Sequence, residues 1–423
     1  MRNYYVLKNV NIIDCVSDDI LYHKSIEIKD GIITLISDEI KADSKDIIDL
    51  GGAFVTPGLI NLHGHLPASG KVGKKKVASL KGLVKFMTST ALTRRIGMGL
   101  EKKYAKMELC SGVTTFRSVG GIGNLDTMLR NKDYKDVPRI IASDYAIGVN
   151  GGHMDGTVAK AISSEDEARG LVKELVNDNV DLIKIMITGG VLDASENGSP
   201  AKLRMELPLV KAVCDEAHQN GLEVAAHVES PEGVEVAILG GVDTIEHGSN
   251  ITEKLVEVMK EHKSSQVITL SAGLPFIKLD PSETGYGEIG KKNSTIVIDG
   301  MIDMAKKMLD SGLLVGLGND AGSAFVTHYN FYKELLFYQN YLNVSAYFAL
   351  KSATITNAKI VGLDSLIGSI EVGKCADLIV LKDNPLEDLN RLSDNLMVIA
   401  RGNIIKKKNE KYIDIEEKLK KVC

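Results

Sequence analysis

The 423-residue sequence has no Cys-x-x-Cys pair, no long apolar run and no surplus of positive charge. Its five cysteines, Cys15, Cys110, Cys214, Cys375 and Cys423, are scattered. That excludes a zinc–thiolate motif and argues for free thiols in a reducing compartment. No stretch approaches the roughly 18 apolar residues of a membrane span. The start, MRNYYVLKNVNIIDC, lacks the apolar core and small-residue cleavage site of a signal peptide. A formal charge of −5 argues against general nucleic-acid binding, which needs a basic face. Nine prolines against 40 glycines, with 44% apolar and 25% charged residues, exclude collagen-like and disordered chains. The expectation is a cytoplasmic protein acting on a small molecule, with neither nucleic acid nor membrane as partner. Its length suits a large barrel plus a smaller domain.

What is present is a change of texture along the chain. Residues 1–57 hold Ile- and Val-rich stretches (YYVLKNVNIID, KSIEIKDGIITLIS, DIIDLGGAFV) broken by KDG and LGG, which read as short strands. The segment from 365 to 423, with GSIEVGKCADLIVLKDNP and LMVIARGNIIKKK, has the same character. The two ends are expected to build one small β-sandwich, leaving 58–364 as the main domain. That middle alternates helix and strand. In SSEDEARGLVKELVNDNVDLIKIMITGG, Ser164 and Glu167 fit a capping box, and Ala168, Leu171, Val172, Leu175 and Val176 line one helical face before the strand DLIKIMI. Eight strands emerge: GLINLHGH, TTFRSV, RIIASDYA, DLIKIMIT, EVAAH, TIEH, VITLS and LLVGLGND. This is the count of a (β/α)8 TIM barrel, an α/β fold, with an open doubly wound sheet as the alternative.

Polar residues gather at the C-terminal ends of these strands, the face on which barrel active sites assemble. His63 and His65, two apart on strand one, point the same way. His227 ends strand five, His247 ends strand six and Asp320 ends strand eight, while Lys184 lies within strand four. An ammonium inside an apolar strand is costly, so Lys184 should lose its proton readily. The neutral amine could take up carbon dioxide as a carbamate and bridge two metals; pairing with a buried carboxylate is the alternative.

With those residues in place, the chain resembles the amidohydrolase superfamily, through TPGLINLHGH, IKIMITGGV, VAAHVES, TIEHGS, GNDAGS and LIGSIEVGKCADLIVL. IK-M-TGG, GGH, IEHG and ATITNAKIVGL are closest to its prolidase-like, Xaa-Pro and Xaa-Arg/Lys dipeptidase group. The resemblance implies two divalent metal ions, zinc by ligand type. His63, His65 and Asp320 would hold one and His227 and His247 the other, with carboxylated Lys184 between them. Asp320 would also carry the proton. His153 of the GGH loop, Glu229 and His328 are candidate substrate contacts; relatives commonly have an aromatic where Glu229 stands. Asn319 would orient Asp320 through its amide. KVGKKK (71–76) is a loop after strand one, either a solvated face or an acidic-substrate contact. The implied reaction is hydrolysis of an amide bond in a peptide-like, N-acyl amino acid or cyclic amide substrate. Deamination of an amino-heterocycle at one metal, and a non-catalytic scaffold, are the competing expectations. Relatives are often homo-oligomers, so self-assembly is implied too.

Overall fold

A computed structural model describes residues 3–72, 77–191, 201–406 and 411–422. The chain opens with four strands, β1 (Tyr4–Ile13), β2 (Ile20–Lys29), β3 (Ile32–Ser37) and β4 (Ile47–Pro57). One residue later β5 (Leu59–Gly64) starts the barrel. Helices α1 (Val77–Thr88) and α2 (Ala91–Cys110) lead to β6 (Val113–Ser118), and α3 (Leu125–Arg130) to β7 (Arg139–Ala142), β8 (Ala146–Val149) and β9 (Ala159–Ile162). Then α4 (Glu165–Asn177) precedes β10 (Leu182–Met186), α5 (Leu207–Gln219) precedes β11 (Glu223–Val228) and α6 (Pro231–Gly240) precedes β12 (Thr244–His247). Helix α7 (Glu253–His262) precedes β13 (Ser265–Ile268), and α8 (Leu270–Lys278), α9 (Pro281–Thr284) and α10 (Gly287–Asp310) precede β14 (Val315–Leu317).

These strands pair in parallel in two runs, β5-β6-β7 and β14-β13-β12-β11-β10-β8-β9. Strand three joins the runs. Its first half, β7, pairs with β6 and its second half, β8, with β10. The break falls at Asp144, whose φ of +53° turns the backbone and whose carboxylate accepts the Thr127 N–H at 3.0 Å and hydroxyl at 2.8 Å. Closure between strands eight and one comes from a parallel bridge of Gly64 to Ala321. The Asp320 N–H donates to the His63 carbonyl at 2.9 Å and the His65 N–H to the Ala321 carbonyl at 2.7 Å. The result is the (β/α)8 barrel.

The sequence logic of the helices holds at α4. The Ser164 hydroxyl accepts the Glu167 N–H at 3.2 Å, and Ala168, Val172 and Leu175 are buried against the barrel. The Glu167 carboxylate accepts the Ser163 N–H at 2.7 Å, one residue before the Ser164 N–H that a capping box would use.

The small domain is one seven-stranded sheet, β17-β16-β15-β4-β1-β2-β3, completed by β15 (Leu378–Leu381), β16 (Met397–Ala400) and β17 (Asn403–Ile404). Its β3 edge is met by residues 373–376 (Ile33 N–H to Lys374 carbonyl, 2.9 Å), so the sheet folds over a core that includes Tyr5, Leu7, Ile26, Val55 and Val380. Burying each such aliphatic contributes about 1.5–3 kcal/mol. The helix Ile413–Leu419 departs from the expected terminal sandwich. Ile415 and Leu419 join the barrel core, because they pack as one apolar face while Lys418 reaches the Glu283 carbonyl at 3.0 Å. Of the KVGKKK run, Lys71 and Val72 are outside any helix or strand and residues 73–76 lie outside those described; helices α1 and α2 follow from residue 77.

Candidate metal centre

Two groups of three side chains bring their donor atoms within 4.8 Å of one another: His63, His65 and Asp320, and His227, Glu229 and His247. They adjoin. The His63 and His247 rings are 4.8 Å apart and the His247 and His227 rings 4.7 Å. His247 and Asp320 both hold left-handed backbone, φ +68° and +60°, a conformation costing a side-chain-bearing residue roughly 1–2 kcal/mol. Strain of this kind is concentrated at functional sites.

The hydrogen bonds around the first group fix its tautomers. His63 Nδ1 lies 2.6 Å from a Glu246 oxygen and His65 Nδ1 3.0 Å from the Gly120 carbonyl. A carboxylate and a carbonyl only accept, so each Nδ1 carries the proton and each neutral ring turns an Nε2 lone pair inward. Those lone pairs face one oxygen, Asp320 Oδ1, at 3.7 Å from His63 and 3.1 Å from His65. Oδ1 is buried with no hydrogen-bond partner, whereas Oδ2 accepts from the Ser323 hydroxyl at 2.7 Å. Three acceptors converging without a proton between them fit a cation. Burial and the nearby Lys184 and His247 charges hold His63 well below the usual imidazole range. Burial opposes ionisation of Asp320, and neutral rings that turn lone pairs on Oδ1 give it no proton, so the charge of this carboxylate calls for a cation.

In the second group His227 Nε2 lies 3.2 Å from the Gly189 carbonyl, so the lone pair belongs to Nδ1. His247 Nδ1 meets the Thr269 hydroxyl at 2.6 Å. Burial lowers both, His247 to about 4. Lys184 is buried, its amine has no hydrogen-bond partner, and burial pushes it down to about 8, with Glu246 opposing and Arg117 reinforcing. Its strand, β10, pairs in parallel with β11, Lys184 opposite Ala225 and Met186 opposite His227.

His153 stacks on His227 with ring centroids 4.4 Å apart and planes 8° from parallel, at the rim of the second group. Glu229 accepts the Val191 N–H at 2.9 Å. His328, expected beside the substrate, is fully buried elsewhere. Its Nε2 donates to the Ala68 carbonyl at 2.7 Å, its Nδ1 lies 3.1 Å from Glu108, and its ring stacks on Tyr104. Both nitrogens are engaged by the protein, so its work is packing the loop after strand one. Asn319 likewise does not orient Asp320: its amide is bonded to Asn61 at 2.8 Å and Asn330 at 3.4 Å, joining strand eight to strand one.

Sequence reasoning passed over the pair behind His63. Arg117 donates to Glu246 at 2.7 Å and to the Leu62 carbonyl at 2.6 Å, with both side chains almost wholly buried. The signal was there: a lone charge inside an apolar strand (TTFRSV, TIEH) needs a partner.

Residues 54–405 match the model of the Amidohydrolase family. The chain belongs to this family. Among solved structures, a protein of Bifidobacterium longum provisionally named a prolidase is 34% identical, with a TM-score of 0.86 and 99% of both chains covered. A Xaa-Pro dipeptidase with methionine bound in its active site is 30% identical, with a TM-score of 0.81, over 95% of this chain and 100% of that one. Ochratoxinase of Aspergillus niger is 26% identical over 310 residues, 66% of this chain, and the match spans only 62% of that enzyme's length. A 5-methylthioadenosine/S-adenosylhomocysteine deaminase of Caldanaerobacter subterraneus subsp. tengcongensis is 25% identical over 97% of this chain and 95% of its own. Among the described residues no helix is long and apolar enough to cross a membrane.

Proposed function

We propose that this amidohydrolase is a metal-dependent hydrolase of carbon–nitrogen amide bonds, with a peptide-like, N-acyl amino acid or cyclic amide substrate. One observation carries the proposal: two histidines with their protons committed elsewhere turn lone pairs onto one orphaned carboxylate oxygen. His63, His65 and Asp320 would hold one divalent cation, zinc by donor type, and His227 and His247 a second. Lys184, a buried amine with a lowered pKa, would join them as a carbamate. Such a pair of cations lowers the pKa of water and polarises a carbonyl.

The chain's own residues then divide the remaining work. Asp320, kept ionised, takes the proton of the attacking water on Oδ2, the oxygen steadied by Ser323, and returns it to the leaving nitrogen. His153, stacked over His227 at the rim, steadies the substrate carbonyl. Cys15, Cys110, Cys214 and Cys375 are free thiols, which suits a cytoplasmic setting.

The test combines metal content per chain, on protein purified with bicarbonate, with product analysis on dipeptides, N-acyl amino acids and amino-heterocycles. About two equivalents with amine release from an amide is the expected result. One equivalent with ammonia release from a heterocycle would replace this function with deamination, which the second curated relative performs by name.

A further inference from the structure

The two candidate metal groups are built on one plan. In the first, His63 and His65 are two apart at the end of β5, and the residue between them, Gly64, bridges to Ala321 beside Asp320 on the neighbouring strand. In the second, His227 and Glu229 are two apart at the end of β11, and the residue between them, Val228, pairs with His247 on the neighbouring strand β12. Alternation puts the two outer side chains on one face, and the register brings the third across the ladder to meet them. Each group therefore offers two imidazoles and one carboxylate, with donor atoms within 4.8 Å.

We propose that Glu229 is a metal ligand. Resting on the two-cation function above, His227, Glu229 and His247 form a two-histidine, one-glutamate set that holds the second cation before Lys184 takes up carbon dioxide, the carbamate joining an ion already in place. A set of this composition, with a fourth position left open, is sufficient for catalytic zinc. The Val191 N–H at 2.9 Å from Glu229 Oε2 orients the carboxylate, as ligating carboxylates generally are oriented by a hydrogen bond of their own. With Nε2 donating to the Gly189 carbonyl, the lone pair of His227 sits on Nδ1, the ring atom left to serve as donor to a metal. Glu229 is then a ligand where the sequence suggested a substrate contact. It removes one positive charge from the second site and makes that site's occupancy independent of carbon dioxide.

The experiment is titration of metal-stripped protein with Zn2+ against a chromogenic chelator, and with Co2+ followed by its visible absorption, in bicarbonate-free buffer. Wild type should take two equivalents. Glu229→Gln should weaken one of them at least ~100-fold, the upper end of what removing even an indirect partner costs. Glu229→His, which restores a donor, should recover most of that affinity, and Lys184→Ala should keep both equivalents. Glu229→Gln binding both ions as wild type does would overturn the proposal, as would loss of the second ion in Lys184→Ala. Failure of Glu229→His to rescue a weakened Glu229→Gln would also overturn it, by assigning Glu229 a structural role. If wild type takes a single ion, two-cation function fails by itself. The ligand role then stands if Glu229→Gln weakens that ion and Asp320→Asn does not, and falls if Glu229→Gln leaves it untouched.

Discussion

Glu246→Gln tests the tautomer argument directly. Glu246 Oε1 accepts from Arg117 at 2.7 Å and from the Thr244 hydroxyl at 2.8 Å, and Oε2 accepts from His63 Nδ1 at 2.6 Å. Glutamine keeps the shape and can leave its oxygen on Arg117 and Thr244. Its amide nitrogen then faces His63 and donates, forcing the ring proton onto Nε2, the atom that faces Asp320. A proton there displaces a cation. Affinity for the first ion should fall by at least the 10–100-fold typical of a lost outer partner. Stability has its own cost. Breaking a buried ion pair costs 3–5 kcal/mol, and the glutamine oxygen recovers part of it, so about 3 kcal/mol is expected in urea denaturation of metal-free protein. Adding Arg117→Met removes the stranded cation, so stability should return while metal affinity stays low. Glu246→Gln with wild-type zinc affinity in chelator competition would refute the argument, whatever its stability.

Asp320→Asn should fold, by circular dichroism, yet turn over at least ~100-fold more slowly, the scale of a lost acid–base group; near-normal turnover removes it from proton transfer. Lys184 must be neutral to take up carbon dioxide, so bicarbonate activation of metal-loaded, carbon-dioxide-stripped enzyme should speed up as pH rises through about 8, and equal activation rates at pH 6.5 and 9 would contradict the carbamate. Behind His65, burial raises Asp126 to about 6 and Asp144 to about 7 and lifts Glu101 well above its normal range. The native state thus binds protons that the unfolded chain has released, and stability should decline from about pH 4 to about pH 7. Asp126→Asn removes a term worth about 3 kcal/mol, so its melting temperature should gain on wild type as pH rises, and parallel curves would show that this group carries no such penalty.

The barrel was legible because its grammar is local: a capped amphipathic helix, a short apolar strand, then a polar residue at the strand's end. The break in strand three was not. RIIASDYA reads as one strand, whereas Asp144 takes left-handed backbone there and bonds Thr127 and Gly121, partners distant enough in sequence that periodicity does not report them. The histidines and Asp320 were visible as polar residues at apolar strand ends. The partners that set their tautomers were harder to see, since a carbonyl such as Gly120 or Gly189 has no sequence signature. By type and position His328 resembles the clustered histidines. Its burial against Tyr104 and Glu108 depends on a helix more than 200 residues away, which periodicity does not report.

The division of the small sheet between the two ends of the chain has a consequence during synthesis. Strand β4 pairs on one side with β1 and on the other with β15, whose first residue, Leu378, follows β4 by about 300 residues. At 5–20 residues per second the ribosome needs roughly 15–60 s to supply that partner. Throughout that interval the β4 edge, carrying the buried Ala53 and Val55, stands open to any extended chain nearby. Slower elongation would lengthen the exposure without altering the finished protein. Yield of soluble enzyme should therefore follow translation speed and chaperone supply more closely than it follows equilibrium stability.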